Sequence, residues 1–201
     1  MEYFVMFGAM TMDITTLISD LGARNTETYY AARDQLRVLG TAAIPALVKT
    51  MLAGNDILSW RAAALLAEIK VSALLDHFVQ ALESPSPMVR QITAQVIGEH
   101  GDKRCIPQLL NHLHDNSCLV QMWVVEALGV LGDGTIVEPL LDLLQQTDSH
   151  SIQLSVIKAL GQIGDANAAE GLRPFFHSDE HHVRSRARRV YNQLLGSSQE
   201  D

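Results

Sequence analysis

VQMWVVEALGVLGDGTIVEPLLDLL, residues 120–144, reads as a helix, a Gly-Asp corner and a second helix. Val124, Val125, Leu128 and Leu131 recur at helical spacing in its first half. Leu140, Leu141, Leu143 and Leu144 do so in its second. The same phrase returns along the chain. Its corner occurs as Gly101-Asp102, Gly132-Asp133 and Gly164-Asp165, at offsets of 31 (101 to 132) and 32 (132 to 164). A second marker keeps the same step: Val89-Arg90, Val120-Gln121, Ile152-Gln153 and Val183-Arg184. A third opens the helix after the corner, as IPALV at 44–48, IPQLL at 106–110 and VEPLL at 137–141.

Each marker has a physical reason. Glycine ends a helix by taking the left-handed conformation that a Cβ would oppose, which is the expectation for all three corners. The Asp that follows caps the next helix by accepting from its free N–H groups. Proline is tolerated at a helix start, where its missing N–H would have had no partner. One helix pair cannot bury its apolar face alone, so successive pairs must stack.

These residues resemble the short HEAT-like repeat of about 31 residues, the PBS-lyase HEAT-like kind, over about residues 26–195. The resemblance implies an all-α fold: an α-α superhelix, a right-handed solenoid of about six helix pairs. It implies little about function, because the repeat serves many unrelated proteins.

A chain of 201 residues can bury a sizeable core, and a repeat throughout gives one solenoid over 13–196. Fifteen Lys and Arg against 23 Asp and Glu leave −8, which argues against nucleic acid and against an anionic membrane as partners. Cys105 and Cys118 fall on different helices and read as small packing thiols of a reducing, cytoplasmic compartment. Residues 1–12 are apolar but include Glu2 and have no basic region, so they read as neither signal peptide nor membrane span. Two alternatives stand for them: Met10 or Met12 is the true start, or they plug the first repeat. Residues 197–201 read as a polar tail.

Helices are expected from Asp13 to Leu21, from Asn25 or Thr26 to Leu39, and over 44–52, 57–69, 74–82, 88–99, 105–113, 119–131, 136–144, 152–163, 168–176 and 183–195. Lys70 replaces the corner glycine and predicts an irregular third corner. Thr135 and Glu138 have capping-box spacing. The last helix carries Arg184, Arg186, Arg188 and Arg189 and reads as a solvated cap of the repeat, or as an anion contact through Arg186 and Arg189.

Catalytic motifs are missing: the sequence has no Gly-rich phosphate loop, no nucleophile elbow and no CxxC pair. His112 and His114 are two apart and diverge on a helix, and His181-His182 beside Asp179 and Glu180 read as a solvated helix start. No tetrahedral ligand set assembles, so neither a metal nor a cofactor is expected. HEAT-like di-iron hydroxylases use His-Glu dipeptides. Glu99-His100 has the reverse order and occurs once, so that ligand set is absent.

The resemblance further implies that the helix opened by the Val-Arg marker lines the concave surface. Its variable positions, the two after the marker and then three and seven further on, would face the groove. They are Trp60, Arg61, Ala64 and Glu68; Gln91, Ile92, Gln95 and Glu99; Met122, Trp123, Glu126 and Val130; Leu154, Ser155, Lys158 and Gln162; Ser185, Arg186, Arg189 and Gln193; and, in the first helix, Tyr30, Asp34 and Val38. Apolar side chains rimmed by acids mark a binding surface. The competing reading is a slip of one position that would put these side chains in the core. On the groove reading the chain is a non-catalytic scaffold for a protein or peptide, with a mildly basic segment as occupant. The alternatives are a bilin lyase-type subunit handling a phycobiliprotein chromophore, for which no specific motif speaks, and a DNA-binding HEAT-like protein.

Overall fold

The computed structural model describes residues 13–54, 56–69, 74–101 and 103–196. The N-terminal segment, the corner at Lys70, the Asp102 cap and the polar tail lie outside them. Among the described residues the fold is all-α, with no strand. No helix there is long and apolar enough to cross a membrane. The chain forms two compact units, one ending at Val96 and the other beginning at Ile97.

A short α1 (Ile14–Leu21) precedes the repeats. Six helices of 14 residues then recur: α2 (Thr26–Leu39), α4 (Asp56–Ile69), α6 (Pro87–His100), α8 (Cys118–Leu131), α10 (His150–Ile163) and α12 (His181–Leu194). Between them lie shorter partners: α3 (Ile44–Leu52), α5 (Leu75–Ala81), α7 (Ile106–Asn111), α9 (Val137–Gln146) and α11 (Ala169–Leu172). The expected helix over 168–176 is only partly α. From Arg173 to His177 it tightens to a 3-10 helix, where Pro174 has no N–H to continue the α-helical ladder.

The second marker is a cap on the preceding helix pair. From α4 onward the fourth residue of each long helix reaches back to carbonyls at the end of the preceding helix or in the turn that follows it. Ser59 Oγ donates to the Thr50 carbonyl at 2.8 Å, and Arg90 Nη1 to Ser84 and Pro85 at 2.8 and 3.2 Å. Gln121 donates to Leu113 at 3.1 Å, Gln153 to Thr147 at 3.0 Å, and Arg184 to Ser178 and Asp179 at 2.6 and 2.8 Å. A donor on a side chain of suitable length is what the position requires, so Arg, Gln and Ser all satisfy it.

Long helices of the second unit stack through a glycine. The twelfth residues of α6, α8 and α10 are Gly98, Gly129 and Gly161, and each faces the tenth residue of the next long helix. A Cβ on Gly129 would lie 2.9 Å from Ala159 Cα, and one on Gly98 would lie 3.0 Å from Ala127 Cα. The backbones therefore approach more closely than a side chain at Gly98 or Gly129 would allow. Between these contacts Val124, Val125, Leu128, Val156, Ile157 and Leu160 are completely buried. In the first unit Leu21, Leu36, Leu47, Leu66 and Phe78 are equally sealed.

The corners correct three expectations. Only Gly164 has the left-handed conformation, with φ 74. Gly132 has φ −75 and ψ 174, and is glycine for want of space: a Cβ would meet Ile136 Cδ1 at 2.2 Å and the Leu128 carbonyl at 2.5 Å. The cap near Thr135 is Asp133, whose Oδ1 accepts from the Thr135 amide at 3.1 Å and hydroxyl at 2.7 Å. Asp165 caps Asn167 in the same way at 2.9 Å. Asn25, not Thr26, caps α2, through the amides of Glu27 and Thr28, while the Asp13 side chain caps nothing. Of the two thiols only Cys105 is buried; Cys118 opens α8 and is exposed.

Candidate functional site

Counted from the first residue of each long helix, the expected face occupies positions five, six, nine and thirteen. Trp60 and Arg61 in α4 stand where Met122 and Trp123 stand in α8, because both helices have 14 residues. None of the face residues is in the core. Trp60, Arg61, Ile92, Met122, Trp123, Glu126 and Arg186 are half-buried, and Glu68, Glu99, Lys158 and Arg189 are exposed. Tyr30 is 47% exposed and Val130 57%, while their core neighbours Ala32 and Val124 are 2% and 0%.

In the first unit several of these side chains have local partners. Arg61 Nη1 donates to the carbonyls of Leu21 and Ala23, both at 2.8 Å, and its guanidinium lies 4.1 Å from the Tyr29 ring centroid. Arg61 thereby caps the end of α1. Asp34 pairs with Arg33 at 2.9 Å, and that hydrogen bond raises the guanidinium pKa. Arg33 in turn lies 4.9 Å from the ring of Tyr30, which packs against Tyr29.

In the second unit Met122, Glu126, Ser151, Leu154, Ser155, Lys158 and Arg186 line one open depression of about 250 Å³. Three successive long helices supply them. Six of the seven were legible as face positions. Ser151, the second residue of α10, was not, because the rule starts after the marker. Met122 and Leu154 give the depression an apolar floor. Lys158 and Glu126 form an ion pair across α10 and α8. Trp123 stands beside Met122 on α8 but is not among the lining residues.

The four arginines of α12 separate into two kinds. Arg184 holds the carbonyls of Ser178 and Asp179, and Arg188 holds that of Phe176 at 3.1 Å. Among the described residues Arg186 and Arg189 have no hydrogen-bond or ion-pair partner. The histidine pair does not build a centre. Glu180 caps His182 at 3.2 Å, and among the described residues no three His, Cys, Asp or Glu side chains converge.

The acidic rim is partly neutralised within the chain. Glu126 faces Lys158 and Asp34 faces Arg33. At the corner of the second unit Asp133 pairs with Lys103 at 2.6 Å. Lys103, together with the Thr135 hydroxyl and amide, holds the Asp133 carboxyl well below the usual carboxylate range.

The family description "HEAT repeats" matches residues 44–117, 75–135 and 106–192. No curated protein matches the sequence. Among solved structures, a designed armadillo repeat protein in complex with the peptide (KR)4 is 16% identical, with TM-score 0.60, covering 91% of this chain and 100% of that one. The complex of CpcE and CpcF of phycocyanin lyase from Nostoc sp. PCC7120 gives 22% identity and TM-score 0.56, over 98% of this chain and 80% of that one. An engineered protein gives 20% identity and TM-score 0.56, over 93% and 98%. At these identities the likeness is one of fold.

Proposed function

Because the chain belongs to the HEAT-repeat family, we propose that it is a non-catalytic protein-binding scaffold whose long-helix faces hold a protein or peptide segment. The observation that carries this reading is the depression of the second unit. Met122, Leu154, Lys158 and Arg186, from three helices, line one cleft and offer apolar floor and charge together. Anchors of that kind supply affinity, and charges around them steer encounter and set register. The designed armadillo protein bound to (KR)4 and the CpcE–CpcF pair are two uses of the fold in which its carrier engages a peptide or a protein. In the first unit Tyr30, Trp60, Glu68 and Ile92 carry the corresponding face. Two free thiols, one of them exposed, accord with a reducing cytoplasmic setting.

The chromophore-handling alternative draws on the likeness to CpcE–CpcF. The cleft volume of about 250 Å³ weighs against it, since it lies below the roughly 300–1,000 Å³ of small-molecule sites. A flat, open cleft suits a chain segment better than an enclosed cofactor.

The test is capture from the native lysate by wild type, by Met122→Ser with Leu154→Ser, and by Gln145→Ala on the exposed side of α9. Circular dichroism establishes equal helicity. A partner kept by wild type and Gln145→Ala, and lost by the double variant, is the expected result. A folded double variant that keeps the same partner refutes this face. A bilin absorbance band that develops on mixing, with no protein captured, favours the alternative.

A further inference from the structure

We infer that the cleft of the second unit takes an acidic segment, with an apolar side chain on Met122 and Leu154 and carboxylates on Arg186, which lines it, and on Arg189, which stands beside it on the same helix face. This rests on the scaffold reading above and fixes the chemistry of its occupant. It also reverses the mildly basic partner that the sequence suggests.

The charge balance of the cleft decides the sign. At positions five, six, nine and thirteen of α8, α10 and α12 the charged residues are Glu126, Lys158, Arg186 and Arg189. Glu126 is the sole acid of the four, and Lys158 already faces it. Arg184 and Arg188 are each anchored to carbonyls on the other side of α12, which holds their guanidiniums away from the cleft face. Two guanidiniums remain without partners among the described residues. Arg186 and Arg189 are three apart on one helix, so they are neighbours on its surface. Each offers a fork that suits a carboxylate. Ser151 and Ser155 add hydroxyls beside Arg186, although the Ser155 hydroxyl already donates to the Ser151 carbonyl at 3.1 Å.

The repeat also sets a spacing. Packed helices lie about 8–10 Å apart. An extended peptide advances about 3.3 Å per residue. A segment crossing α8, α10 and α12 therefore passes one helix about every three residues. An apolar residue over Met122 and Leu154 is followed by acids three and four positions on, over Arg186 and Arg189. The (KR)4 peptide of the designed armadillo complex is the opposite in charge and serves as the contrasting probe.

The experiment is fluorescence polarisation of the full chain with fluorescein-labelled GSLSGEEG, GSLSGKKG and (KR)4. The acidic octapeptide is expected to bind at least about tenfold more tightly than either basic probe, a difference of about 1.4 kcal/mol. Arg186→Glu with Arg189→Glu should abolish acidic binding and admit GSLSGKKG. Met122→Ser with Leu154→Ser should weaken the acidic probe without inverting the charge preference. Raising salt from about 0.05 to about 0.5 M should weaken it as well. If a basic probe binds and the Met122/Leu154 variant releases it, the cleft is a binding site and the acidic assignment is overturned. If no probe saturates, or the acidic probe binds the double arginine variant unchanged, the inference is overturned too. Capture of a partner by the cleft is read separately in the lysate experiment, so the scaffold reading stands or falls on its own.

Discussion

Replacing Gly129 by Ala should loosen the joint between α8 and α10. The added Cβ would lie 2.9 Å from Ala159 Cα, 2.8 Å from Ala159 Cβ and 2.7 Å from Gln162 Oε1. Gln162 can swing away, since it is exposed, but the Ala159 backbone cannot. Comfortable carbon–carbon separation is about 3.5–4.0 Å, so the helices must part by roughly 1 Å. Overpacking of this kind costs about 1–3 kcal/mol, and alanine returns about 1 kcal/mol in helix propensity. The net expectation is a loss of up to about 2 kcal/mol. Two other glycines serve as internal standards. Gly98→Ala meets Ala127 Cα and Cβ at 3.0 Å and should lose slightly less. Gly161→Ala meets side chains and no backbone, the Val190 methyls at 3.2 Å and Gln193 Oε1 at 3.7 Å, so it should lose least and be near neutral. Urea denaturation followed by circular dichroism, with the slope checked for constancy, reads all three. The order should be Gly129, then Gly98, then Gly161. A Gly129→Ala protein at least as stable as wild type, or a Gly161→Ala protein that loses most, refutes stacking through these glycines. Because Met122 and Leu154 sit on α8 and α10, Gly129→Ala should also weaken whatever the cleft binds.

Arg61→Ala should cost stability by removing two charge-assisted bonds to Leu21 and Ala23, about 1–3 kcal/mol, with the first unit's loss visible as a lower urea midpoint. A variant of unchanged stability would return Arg61 to the binding face. Asp133 has a depressed folded pKa, so its contribution is present above the unfolded value of about 3.9 and is lost as the pH falls toward the lower folded value. Asp133→Asn should therefore flatten the acid limb of melting temperature against pH, and only modestly, because the pair is exposed. An unchanged limb shows that Lys103 does not hold the carboxylate in solution. Ellman's reagent should modify Cys118 in the native protein and reach buried Cys105 only on unfolding. Equal reaction rates would contradict the burial of Cys105.

The three recurring markers made the repeat legible, and the helix starts and ends fell within a residue or two of their expected places, except that α11 ends at Leu172, four residues short. The face positions came from the family resemblance, and six of them line the depression of the second unit. Sequence reasoning erred where a residue type has more than one physical use. Glycine at 132 suggested a left-handed corner, yet there it spares the Ile136 side chain a clash. Arg61 and Arg186 occupy the same helix position. One reaches carbonyls 38 and 40 residues away in the chain, the other has no partner among the described residues, and spacing cannot tell them apart.

The sequence by itself thus determined the all-α repeat, because it depends on local periodicity and on residues that end or cap helices. Tertiary structure decided which charges are already neutralised, which glycine is a turn and which a contact, and that Met122, Leu154 and Arg186 share one cleft. Those outcomes depend on distances between helices about 30 residues apart, and a linear pattern does not carry them.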